Sequence, residues 1–66
     1  MSVKRGTVIS IVPDDEMAIV VVELPGEAEP VSVAHNLDEV RSRGLRRGDA
    51  VSVHFDYAGE IVGLLL

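Results

Sequence analysis

The clearest hydrophobic pattern lies between Gly44 and Asp56. Gly48 and Asp49 make a turn signal, because Gly tolerates positive φ and Asp bonds nearby backbone. After it, Val51, Val53 and Phe55 alternate with Ser52, His54 and Asp56, a period of two that predicts a half-buried strand over Ala50–Asp56. The rest of the chain reads in the same way. Lys4–Val12 is a first strand, with Gly6 where a missing side chain permits a bend or close backbone approach. Pro13–Glu16 is a turn, and Met17–Leu24 a second strand with Val20, Val22 and Leu24 on one face and Ile19 and Val21 on the other. Pro25-Gly26-Glu27 is a turn, followed by a short third strand, Pro30–Ala34, with Val31 and Val33 inward. His35–Gly44 breaks the alternation. Asn36 suits a helix cap, Leu37 and Val40 are three apart, and Gly44 suits a stop, which predicts one or two helical turns. Tyr57-Ala58-Gly59 is a last turn before a fifth strand, Glu60–Leu66, apolar on both faces.

Five strands with a short helix between the third and fourth predict an all-β fold, a five-stranded antiparallel OB-fold barrel formed by residues 1–66 as one domain. An SH3-like barrel is the alternative. The predicted interior is Val20, Val22, Val31, Val33, Val51, Val53 and Phe55. A chain of 66 residues buries only about 60% of its unfolded surface, so its stability rests on a tight core, a partner subunit, or both. With no Cys, neither a disulfide nor a thiolate metal site is available. No apolar run approaches the roughly 18 residues of a membrane span, and no secretory pattern is visible, so a soluble, cytoplasmic protein without a membrane partner is expected.

Several short segments resemble a known family. Gly6-Thr7-Val8, Pro13 seven residues after the glycine, then Met17 and Val22-Glu23-Leu24, resemble the first hairpin of the bacterial translation initiation factor one family, whose members are S1-type OB domains. Val33-Ala34-His35 followed by Arg41 resembles that family's third strand and the segment after it, and Gly48-Asp49 with Val51 and Val53 resembles the start of its fourth. The resemblance, shared with S1 and cold-shock domains, implies an OB barrel, RNA as a ligand, and His35 in contact with a base or phosphate. The chain departs from the pattern at three places. Glu16–Val21 lacks the stacking aromatics of cold-shock domains, Ser32 stands where their third strand has Phe, and Glu60 with an aliphatic tail replaces the initiation factor's basic end.

Charge divides the chain. The net charge is −5, which opposes general attraction to nucleic acid. Arg41, Arg43, Arg46 and Arg47 nonetheless form a basic island between acidic flanks. They read either as a phosphate-binding patch, with Lys4 and Arg5 added if the fold brings them near, or as a solvated connector paired with Asp38, Glu39 and Asp49. The patch is expected beside the barrel and away from the acidic loop Asp14–Glu16, giving weak, salt-sensitive binding of RNA or single-stranded nucleic acid. The usual OB ligand loops carry Asp14, Asp15, Glu16 and Asp56, and Tyr57 alone offers a ring for stacking. Ile19, Val21, Val62, Leu64 and Leu66 read either as a partner surface, for a homodimer or another protein, or as a second internal cluster. His35 and His54 belong to no metal spacing, and Ser32, His35 and Asp38 hold the residue types of a hydrolase triad without implying its geometry. No enzyme, metal or cofactor is expected. Two functions follow: a weak nucleic-acid-binding accessory factor, or a protein-interaction module that has lost that activity. They differ in whether the arginines gather on an open face or are consumed by neighbouring acids.

Overall fold

The computed structural model describes residues 1–66 as a nearly closed barrel built around its first strand. That strand, β1 (Ser2–Asp14), has 13 residues and serves two partners. Its first half pairs with β4 (Ala50–Phe55), from Ser2↔Phe55 to Thr7↔Ala50. Its second half pairs with β2 (Met17–Glu23), ending at Asp14↔Met17. A bulge between Val8 and Ser10 leaves Ile9 outside the ladder and turns the strand from one partner to the other. Gly6 sits just before this bend, where a Cβ would lie 2.5 Å from the Glu23 carbonyl oxygen, so the predicted close approach is realised.

β3 (Val31–Asn36) pairs with β2, and β5 (Ile61–Leu65) with β4, giving the antiparallel order β3-β2-β1-β4-β5. β3 and β5 also approach each other, without a hydrogen-bonded ladder, and so almost close the barrel. The order, with α1 (Leu37–Ser42) between β3 and β4, is the expected all-β architecture and is compatible with an OB-like fold. No helix is long and apolar enough to cross a membrane.

Inward positions of every strand meet in one core: Val8, Ala18, Val20, Val22, Val33, Val51, Val53 and Leu64 are buried, with Leu24, Leu37 and Val40 at its ends. The helix forms because Asn36 is extended (φ −61°, ψ 126°) and its Oδ1 accepts the Glu39 N–H at 3.0 Å. Asp38 and Glu39 lie at the positive end of the helix. Leu37 and Val40 turn into the core, and Gly44 (φ 64°) takes the left-handed position beyond the last turn.

Three expectations change. The third strand runs on through His35 and Asn36, so the helix begins at Leu37 rather than His35. The ladder wins because His35 and Asn36 find partners in Ala18 and Met17. Val31 and Phe55, expected inside, are only half-buried. Phe55 stands on the last rung of β4, opposite Ser2, and its half-buried ring carries Lys4 Nζ at 5.4 Å from the centroid. In β5, the register skips Val62 between Phe55↔Ile61 and His54↔Gly63. That irregularity resets the alternation, so Leu64 packs inside, opposite Val53, while Val62 is 58% exposed.

Candidate interaction surfaces

The outer faces of β1, β2 and β3 form three rungs: Asp14–Met17–Asn36, Val12–Ile19–Ala34 and Ser10–Val21–Ser32. These residues have the parity opposite to buried Ala18, Val20 and Val22, so they look outward. An apolar strip results, with Val12 51% and Met17 39% exposed and Ile19 and Val21 half-buried beside them. At strand and rung spacings, the strip measures about 14 Å by 10 Å. Glu23 ends its outward row on β2, and Asp14, Asp15 and Glu16 close its other end. Asp15 takes φ 57°, so the two-residue turn between β1 and β2 is tight and its carboxylates are exposed. No cation and no aromatic ring stands on these rungs.

Arg41 stands in the last turn of α1 and Arg43, Arg46 and Arg47 follow it, and none forms an ion pair with a carboxylate. The two ion pairs are Lys4 Nζ–Glu27 Oε1 at 3.3 Å and His35 Nε2–Glu39 Oε1 at 3.1 Å, the latter an ion pair when the imidazole is protonated. Asp49 is occupied otherwise: its Oδ2 accepts the Arg46 backbone N–H at 2.8 Å. That turn, with Gly48 at φ 95°, is clamped to β1 by Gly48 N–H to Val8 O (2.7 Å) and Val8 N–H to Asp49 O (2.9 Å). Arg41, Arg43, Arg46 and Arg47 are exposed. Arg41 and Arg46 share the rim of an open cleft of about 370 Å³ floored by Ile11, Leu37, Val40 and Leu45. Arg43 borders a smaller depression on the other side of Leu45, beside Leu66 and Val51.

Lys4 and Arg5 do not join this group. Lys4 is held by Glu27 and Phe55 at the far end of β4, and Arg5 Nη1 reaches Ser52 Oγ at 3.5 Å. The acidic turn, expected to lie away from the arginines, is instead bound to α1: the Leu37 N–H donates to the Glu16 carbonyl at 2.9 Å, and Pro13 lines the same cleft as Arg41 and Arg46. The helix is short, and β3 delivers it directly over the β1–β2 turn.

The remaining predicted residues scatter. His35 points inward under α1, its Nε2 buried without an aligned hydrogen bond. Ile19 and Val21 share the outer strip, Val62 is exposed on the bulge of β5, and Leu66 is half-buried against the core. Leu64 belongs to the core and is no part of a surface. Val12, Met17 and Ala34 complete the strip. Their signal was the outward parity of a strand whose inward parity was also apolar. Tyr57 is 91% exposed at the β4–β5 turn, at the opposite end of β4 from the arginines. No three His, Cys, Asp or Glu side chains gather as a metal site would need. No protein-family model, curated protein or solved structure matches the chain.

Proposed function

We propose that this protein is a small interaction barrel that docks an extended segment of a partner protein on the outer face of β1–β2–β3. The observation that carries the reading is the strip Val12–Met17–Ile19–Val21 with acids at both ends, on the face where OB barrels take their ligands. A strip about 14 Å long accommodates one extended chain of four or five residues, not a globular surface. Its rim favours a segment whose apolar side chains are flanked by Lys or Arg, because acids around a low-dielectric patch attract cations and repel anions. The contact area lies well below the roughly 1,200 Å² of stable complexes, so binding is transient. The cysteine-free chain suits such a role in the cytoplasm.

Nucleic-acid binding is the second reading, and it rests on four exposed arginines free of carboxylate partners together with the resemblance to the initiation factor one family. Two features weigh on the other side. The outer rungs of β1–β2–β3 offer no ring for stacking, and the acidic turn stands next to the arginine cleft.

An NMR titration of ¹⁵N-labelled protein separates the two readings. A Lys-Val-Lys-Ile-Lys-Val-Lys peptide is expected to shift the amides of Val12, Met17, Ile19 and Val21. Val12→Lys with Met17→Lys is expected to weaken it at least tenfold with the melting curve unchanged. A response to decauridylate at 20 mM salt, with none to the peptide, would replace the first reading by the second.

A further inference from the structure

The cleft between β1 and α1 plays no part in the proposed function. Its floor is apolar, from Ile11, Leu37, Val40 and Leu45, and Arg41 and Arg46 border it. Neither guanidinium has a carboxylate within ion-pair distance, although Asp38, Glu39 and Asp49 are neighbours in sequence. Glu39 is directed to His35 and Asp49 to the Arg46 backbone, so two of these three acids are committed elsewhere, and the exposed Asp38 makes no ion pair with the rim.

We propose that this cleft is a second binding site, which takes an acidic peptide segment of a partner through one large apolar side chain next to a carboxylate. The volume, about 370 Å³, admits a Leu or Phe side chain, and the open mouth suits a residue carried on a passing chain. Arg at the rim matches a carboxylate bidentately, with a planar fork that Lys lacks. The charge around the cleft also sets the ligand's direction. Asp14, Asp15 and Glu16 follow Pro13 at one end, and Arg41 and Arg46 stand at the other. A ligand with its apolar anchor in the middle and its carboxylate toward the arginines satisfies both ends. A polyanion such as single-stranded RNA has to run its next phosphates past the acidic turn, and no aromatic ring lines the floor to hold a base.

The test is a titration of the full chain, read by ¹⁵N amide shifts, with an acetyl-Gly-Ser-Phe-Leu-Glu-Glu amide peptide, acidic on one side of its apolar anchor only. Saturable shifts at Ile11, Val40 and Leu45 are expected, with at least a tenfold loss of affinity in Arg41→Glu/Arg46→Glu. Both residues are exposed, so an unchanged melting curve is expected to confirm that the variant folds. Val12→Lys/Met17→Lys is expected to leave this binding intact, which separates the site from the outer strip. Replacing Phe-Leu in the peptide by Ser-Ser is expected to abolish the shifts. Equal binding of the Ser-Ser peptide, undiminished binding by the arginine variant, tighter binding of decauridylate at the same residues, or no shift at 2 mM peptide would each overturn the proposal.

Discussion

Gly6→Ala tests the bend on which the barrel depends. A Cβ at position 6 would meet Glu23 O at 2.5 Å, Val22 Cγ1 at 2.6 Å and Leu24 Cδ2 at 2.8 Å, whereas real Cβ contacts essentially never fall under 3.0 Å. The leucine tip can rotate away. The Glu23 carbonyl is backbone on the rung Thr7↔Glu23, and the Val22 side chain is fully buried, so β1 and β2 have to separate by about half an ångström. Overpacking of this kind costs about 1–3 kcal/mol. A 66-residue domain holds only about 3–10 kcal/mol in all. At about 4–8 °C per kcal/mol, the melting temperature should fall by about 4–24 °C, read by circular dichroism. Gly63→Ala is the matched control. It also lies in a strand, its φ is not positive, and nothing stands within 4 Å of the added Cβ. There the smaller unfolded-state entropy dominates, and a gain of about 0.4–1 kcal/mol is expected. Equal melting of Gly6→Ala and the parent protein would refute the close approach of β1 to β2.

Leu64→Ala is expected to cost about 2–5 kcal/mol and Val62→Ala less than about 0.5, a contrast in chemical denaturation that reads the register reset in β5. Phe55→Ala, half-buried at the barrel mouth, should lose about 1–2.5 kcal/mol rather than the 3–5 of a fully buried ring, again by denaturant melts. Asn36→Ala removes the cap of α1 and should cost about 0.5–2 kcal/mol, with faster amide exchange at Glu39, whose N–H it leaves unpaired.

The alternation Val51–Val53 sufficed to place β4, because a strand buried on one face writes its period into the sequence, and the turns Pro13–Glu16 and Pro25–Glu27 sufficed to bound β2. The helix was legible through Asn36, Leu37, Val40 and Gly44. β5 was placed as a strand, but its inward face was not legible, since a run of Ile, Val and Leu has no polar parity to mark which residues turn inward and the register skips Val62. Phe55 misled for a different reason: period two assigns a face but not a depth, and the last rung of a barrel is open. Of the candidate site, exposure of the four arginines was expected, but the meeting of Pro13 with Arg41 and Arg46 was not. That contact is made by residues distant in sequence, joined only once β3 hands the chain to α1 over the β1–β2 turn. The outer strip was half visible through Ile19 and Val21. Val12, Met17 and Ala34 became its neighbours only through the pairing of β2 with both β1 and β3.

The most direct test of the proposed function is an unbiased selection of displayed random peptides on the immobilised protein, with Val12→Lys/Met17→Lys as the counter-selecting bait. Sequences with alternating aliphatic residues flanked by Lys or Arg are expected to be enriched, retained by the parent protein and lost on the variant. Enriched peptides that bind both proteins equally, or no enrichment beside strong retention of a random single-stranded RNA pool, would contradict it.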